Sequence, residues 1–334
     1  MNTVSPSLGQ FLRAVARKDD SALRTMQTNV GAEGGFAVPA PIIEDLQARI
    51  FQRSYLLSRV TRARVTVGNA FEGFVPDPSL PTPDGGGVGG LDLPTTAEDG
   101  VYASEVVRMR ALQLAMNKNG CVLPVTEDLL EDAPLLGDVL ALGAERSVRG
   151  LMERRIWNGN GVAQPVGVMN APALLVQAIE GTQTIANTPT FIATNAARMV
   201  AQMLDLESAA FYVNPDLLTA LFTATTNSNA KDVITPPDAD APFGRIATRP
   251  LFPNTAAPAV GQVGDFVCAS MPDYVVAQKG DLRQALSLDV RFLQGEGLFR
   301  FAIRWNGAPM LSQPYTPLWS TTPKSHYVAL AARS

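Results

Sequence analysis

Between Phe74 and Gly100 the chain reads FVPDPSLPTPDGGGVGGLDLPTTAEDG. Proline removes the backbone donor that a helix or a central strand needs, and glycine loses the most conformational freedom on ordering. No interior element accommodates such a run, and structureless loops beyond about 12–15 residues are uncommon inside a compact domain. The flanks differ in character. Arg64–Val67 and Phe71–Val75 suggest strands, and Val107, Met109 and Ala111 suggest a returning one. Residues 61 to 118 therefore read as a β-ribbon that projects from the body and finds order on a neighbour. The segment is acidic: it holds Glu72, Asp77, Asp84, Asp92, Glu98 and Asp99, with no Lys or Arg between Arg64 and Arg108.

The rest of the chain has the means to build a core. Of 334 residues, 46% are hydrophobic, enough for one large domain or two ordinary ones. The net charge of −4 argues against a dedicated nucleic-acid binder, which would be clearly basic. No run approaches the roughly 18 apolar residues of a membrane span, and the N-terminus lacks a signal-peptide core. The expectation is a soluble chain with no membrane partner. Cys121 and Cys268 are too few for a disulfide framework and are expected to be buried thiols.

Residues 1 to 30 read as a mildly basic arm, and GAEGGFAVPAPI (31–42) as a hinge into the body. A helix is expected from about Pro41 to Ser54. A longer one follows from Ala133 to Trp157, roughly 36 Å at about 1.5 Å per residue. Its apolar period runs through Leu135, Leu136, Val139, Leu140, Val148, Leu151, Met152 and Ile156. Arg146, Arg149, Arg154 and Arg155 gather toward its C-terminal end, where cations suit the helix dipole. Further on, Thr190–Leu206 reads as a helix, Ala210–Val213 as a buried strand and Asp216–Thr223 as a helical turn or two. The polar stretch after it reads as an exposed loop. Near the C-terminus Leu286, Leu288, Val290 and Phe292 alternate, as do Phe299, Phe301, Ile303 and Trp305. Arg300 and Arg304 fall on the opposite face, and Gly295–Gly297 turns between the two runs, giving a long antiparallel hairpin.

The glycines at 159, 161 and 167 invite a phosphate-loop reading, which their context rejects. Phosphate loops precede a helix, so that its N-terminal amides meet the anion. These glycines follow one, and Gln164 stands where G-x-G-x-x-G needs its third glycine. They read as helix-stop and turn residues. The one histidine, His326, has no G-x-S-x-G nucleophile to serve. Glu127, Asp128, Glu131 and Asp132 open helical turns, which explains them without chemistry. The expectation is a non-enzyme with no catalytic residue, cofactor or metal.

Five pieces then occur in a telling order: GGFAVP (34–39), TEDLLEDA (126–133), WNGNGVAQPVGVM (157–169), GDF (264–266) and FRFAIRWNGAPM (299–310). In this order they span nearly the whole chain, which resembles the major capsid proteins of tailed bacteriophages, with the fold named after phage Hong Kong 97. The resemblance implies an α+β fold. It implies an N-terminal arm (1–35), an extended β-ribbon loop (62–116), and a peripheral domain (36–61, 117–161, 263–308) built on the long spine helix and the long β-hairpin. An axial α/β domain (162–262, 309–334) completes it. It further implies a homo-oligomer, with hexamers and pentamers closing an icosahedral shell around double-stranded DNA without sequence-specific binding. The shell would be assembled in the host cytoplasm and destined for the virion. A portal, and separate scaffold or decoration proteins, are the implied partners; the short stretch before the hinge implies a separate scaffold or none. Encapsulins, cellular compartments of the same fold, are the alternative. In some relatives a loop lysine forms an isopeptide bond with a neighbour's asparagine, but here no lysine lies between Lys18 and Lys118. Contacts between subunits are expected to pair loop acids Asp84, Asp92, Glu98 and Asp99 with helix cations Arg146, Arg149, Arg154 and Arg155.

Overall fold

The structure, a computed structural model, describes residues 14, 35–37, 48–77, 109–126, 136–181, 188–224, 234–235, 237–238, 241–291, 296–317 and 320–333. In chain order the strands are β1 (Gly35–Ala37), β2 (Thr61–Val65), β3 (Ala70–Pro76), β4 (Met109–Ala115), β5 (Asn117–Thr126), β6 (Leu175–Gln177), β7 (Ala209–Val213), β8 (Ile234–Thr235), β9 (Arg245–Ile246), β10 (Arg249–Pro253), β11 (Phe266–Ser270), β12 (Tyr274–Lys279), β13 (Arg283–Arg291), β14 (Glu296–Pro309) and β15 (Tyr327–Leu330). Helices include α1 (Leu136–Asn158), α2 (Thr188–Ala201) and α3 (Leu218–Ala224), and residues 48–52 are helical as well.

The first sheet is organised by β14. On one edge β5 pairs with it antiparallel, from Glu296↔Thr126 to Trp305↔Asn117. On the other edge β12 and β13 follow each other, with Trp305↔Gln278 and Phe301↔Gln284. β2 then adds parallel to β12, and β1 antiparallel to β13. Alternation decides the faces, because successive strand side chains point to opposite sides. Phe299, Phe301, Ile303 and Trp305 are all buried, and they pack in one cluster with Met152, Ile156 and Trp157 of α1. The Phe299 and Phe301 rings meet edge to face at 4.5 Å. The expected hairpin is thus present as β13 and β14, and the expected long helix as α1. Its start before Leu136 and the hairpin tip at 292–295 lie outside the described residues.

β7 and β11 form the middle of the second sheet, whose order is β6-β15-β11-β7-β10-β9-β8. Both strands are buried at every position, and they read as unbroken apolar runs because both faces are covered. Ala209, Phe211, Val213, Phe266, Cys268, Val328 and Leu330 pack with Ile192, Ala196 and Met199 of α2 and Leu221 of α3. Ala210, Tyr212, Val267, Ala269 and Tyr327 turn the other way and join the cluster that holds α1. The sheet is therefore a buried layer between two helical layers. At its end Asn214 accepts the Asp216 amide at 2.9 Å and caps the turn into α3.

Two sequence expectations are corrected, at Cys121 and at the end of α2, and two strands find partners that the sequence did not announce. β11 pairs with β7 and β15 in the second sheet. β5 is a strand that the sequence did not announce. Cys121, within β5, is exposed, whereas Cys268 is buried as expected. α2 ends at Ala201 rather than Leu206; beyond it Asp205 accepts the Glu207 amide at 2.9 Å and turns the chain into β7.

The glycine loop after α1 closes on its own backbone. The Gly159 amide donates to Arg155 O at 2.9 Å, and Gly167 N to Gly159 O at 2.8 Å. A Cβ on Gly159 would lie 2.2 Å from Pro165 O, so only glycine fits. The amides that a phosphate would need are already used.

Candidate inter-subunit surfaces

The ribbon pairs β3 with β4 from Ala70↔Ala115 to Pro76↔Met109. Val75, Leu112 and Leu114 anchor one side of it on Val275, Ala277 and Ala308. The other side is open: Phe74 is 77% exposed and Met109 60%. Phe74 is opposite Ala111 and Met109 opposite Pro76, so the two side chains are diagonal neighbours on one face. An exposed apolar pair on the outer face of a two-stranded ribbon suits a surface that a partner covers. The loop acids Asp84, Asp92, Glu98 and Asp99 lie outside the described residues, as do Glu127, Asp128, Glu131 and Asp132.

The four helix arginines do not form one surface. Arg149 pairs with Glu145 at 3.4 Å, and Glu145 also receives Arg53 at 3.4 Å. Arg155 donates to Asn119 of β5. Arg146 and Arg154 are exposed. Arg155 therefore ties α1 to β5, Arg149 is held within the helix, and the other two face solvent.

A second basic group was only half visible in the sequence. Arg300 and Arg304 stand on the face of β14 turned away from α1, as their alternation predicted. Lys118, Lys279 and Arg283 join them around a cavity of about 180 Å³ with one acid, Asp281. Register assembles this group from distant parts of the chain, so no local motif announces it.

Among the described residues no group of three or more His, Cys, Asp or Glu is placed to hold a metal. His326 Nε2 lies 3.6 Å from Asp273 Oδ1, and among the described residues no serine hydroxyl bonds this histidine. The Ser270 hydroxyl instead bonds Asp205 at 3.1 Å. Burial depresses the His326 pKa and raises that of Asp273 to about 7. Burial also pushes the Cys268 thiol far up, which keeps it protonated and unreactive.

The family model described as the phage capsid family matches residues 34–318. The chain belongs to the phage capsid family. Solved structures share its fold at low identity. The capsid of the native GTA particle is 12% identical, covering 86% of this chain and 91% of that one, with a TM-score of 0.56. The Microbacterium phage Oxtober96 structure is 14% identical, covering 83% and 90%, with a TM-score of 0.52. The holo-SrpI encapsulin complex from Synechococcus elongatus PCC 7942 is 12% identical, covering 93% and 94%, with a TM-score of 0.53. No curated protein matches the chain. The protein is thus a shell-forming major capsid protein with the Hong Kong 97-type α+β fold. It is a structural component of a virion capsid whose copies associate with one another. The encapsulin shares the fold, while the family match is to phage capsids.

Proposed function

We propose that copies of this chain close, as hexamers and pentamers, into an icosahedral shell around the double-stranded DNA of a tailed phage. The observation that carries this reading is the ribbon β3–β4. It exposes Phe74 and Met109 and leads into the acid-only Pro/Gly segment, and a neighbouring copy is the cover that suits this face. Residues 1–35 serve as the arm and 62–116 as the extended loop. The first sheet with α1 is the peripheral domain. The second sheet with α2 and α3 is the axial domain, taking in β11 as well as β15. The net charge of −4 suits a container that holds DNA without gripping it. A portal, with separate scaffold or decoration proteins, completes the particle in the host cytoplasm. The loop carboxylates Asp84, Asp92, Glu98 and Asp99 meet a basic surface of an adjacent subunit.

Light scattering on the purified chain tests the shell. The expected result is a species of many copies that elutes at the void volume of a sizing column. A chain that stays monomeric at every concentration and ionic strength sinks the reading.

A further inference from the structure

Two crossings of the chain between the sheets meet at one place. In the first, the 3-10 turn Met271–Asp273 carries β11 of the second sheet into β12 of the first. In the other, the chain leaves β14 at Pro309 and returns to the second sheet as β15. Each crossing is fastened on its own side. Pro272 O accepts the Thr61 hydroxyl of β2 at 2.7 Å, and Asp273 O accepts the Met310 amide at 2.9 Å, so the turn is held by the first sheet. Ser325 O accepts the Leu204 amide at 2.9 Å, and the Ser325 amide donates to Gln202 O at 3.0 Å, just past α2. His326 O accepts the Ser270 amide of β11 at 2.8 Å, so this side is held by the second sheet. Asp273 and His326 face each other across the junction, Oδ1 to Nε2 at 3.6 Å, with side chains 8% and 17% exposed. Apolar packing between the layers has no preferred direction, whereas a buried polar pair at the crossing does.

The charged and titratable groups around the pair are few. Asp205 accepts the Ser208 and Ser270 hydroxyls and faces His326. Tyr327 and the Met310 and Leu311 amides face Asp273, and Tyr274 and Tyr212 stand beyond Tyr327. Among the described residues no lysine or arginine forms an ion pair with Asp205 or Asp273. Asp273 Oδ2 and His326 Nδ1 are buried without a hydrogen-bond partner. With one proton between them the pair is neutral overall, wherever the proton sits. With two, the imidazolium has Asp205 across from it. With none, the Asp273 carboxylate is a buried charge with no cation beside it, and burial already raises its pKa to about 7. Water reaches its free oxygen only when the crossing parts.

We propose that Asp273 and His326 form a proton-operated latch between the two sheets, shut while the pair holds a proton and released when it holds none. The inference goes beyond the shell reading and does not depend on it, because it concerns the single chain. Linkage sets the sign and the window. The shut latch binds the proton more tightly than the open one, so opening grows roughly 10-fold per pH unit between about pH 4 and about pH 7 and levels off above.

The test uses the dissociated full-length chain. Amide hydrogen exchange at residues 271–275 and 325–328 is followed from about pH 5.5 to about pH 8 and corrected for the intrinsic pH dependence of exchange. Opening there should rise roughly 30-fold relative to Asp273→Asn, whose side chain does not ionise, while β7 keeps its protection. Spin labels on Cys121 of β5 and on Val176→Cys of β6, one exposed position on each sheet, read the movement directly; Cys268 is buried and stays unlabelled. Their distance distribution should widen at the alkaline end and stay narrow when Asp273→Asn is added. Exchange at the junction that is flat with pH in the parent overturns the proposal, as does the same rise in Asp273→Asn. Protection lost equally from β7 overturns it too, since the acid would then act on global stability alone. Exchange that rises while the spin-label distances stay fixed is local fraying and overturns the latch. The parent's own pH course, junction against β7, decides the matter even where the variant fails to fold, and none of these outcomes bears on the shell reading.

Discussion

Arg333 grips Asp265 with both arms of its guanidinium, Nη1 to Oδ1 at 3.0 Å and Nη2 to Oδ2 at 2.5 Å, and neither side chain has any exposed surface. Asp265 also accepts the Gly261 amide at 2.8 Å, while the Arg333 amide donates to Gly261 O at 2.8 Å. The chain beyond β15 is thereby fastened to the loop that leads into β11. Removing one partner of such a pair strands a buried charge at a cost of about 3–5 kcal/mol, whereas replacing both is far cheaper. Arg333→Met should therefore lower the unfolding free energy of the dissociated subunit by that amount, read from the shift of its urea midpoint. The double variant with Asp265→Leu should recover part of it. A single variant as stable as the parent contradicts the account of this pair.

Burial lifts the pKa of Asp273 from the ordinary 3.8 to about 7. The folded state then holds a proton that the unfolded state has already released. Stability contributed by the neutral acid is full below about pH 4 and is lost as pH rises toward 7, by on the order of 4 kcal/mol in all. His326 opposes this: its pKa is depressed by burial, so its contribution is lost as pH falls through its ordinary range. Comparison with Asp273→Asn isolates the acid. Relative to that variant the parent should lose stability from pH 4 to pH 7 in equilibrium unfolding. A constant difference across the window refutes the assignment.

Gly159 sits where the backbone folds back on itself, and an added Cβ would be 2.2 Å from Pro165 O and 2.4 Å from Arg155 O. Gly159→Ala should cost about 1–3 kcal/mol through forced backbone movement. Thermal unfolding of the variant subunit measures it, and an unchanged midpoint means the loop is looser than these distances require.

With no lysine from residue 19 to residue 117, the extended loop has no amine to form an isopeptide bond. Boiled particles should run on a denaturing gel as one band at 35.6 kDa, the mass of the single chain. A ladder of multimers shows that another amine does the linking.

What the sequence discloses here follows locality. β13 and β14 were legible because Phe299, Phe301, Ile303 and Trp305 alternate with polar residues, the direct imprint of a half-buried strand. β7 was legible as an apolar run stopped by Asn214-Pro215. β5 was not: Asn117, Asn119, Gly120 and Pro124 are poor strand formers, and pairing with β14 along its length overrides them. β11 resembles any buried strand, and only its non-local partners β7 and β15 decide which sheet it joins. The same logic hid the basic face. Arg300 and Arg304 were visible as a pair on one side of a strand. Lys118, Lys279 and Arg283 reach them only through ladder register. The helix arginines illustrate the converse: clustered in sequence, they diverge in space, two bound within the subunit and two exposed.

Reconstruction of the purified particle by electron microscopy, with nuclease treatment before its contents are extracted, tests the central claim most directly. The account predicts closed icosahedral shells of hexamers and pentamers that protect double-stranded DNA. Shells filled with a cargo protein and free of DNA would identify a cellular compartment instead, and a preparation with no closed particles under any condition would contradict the account outright.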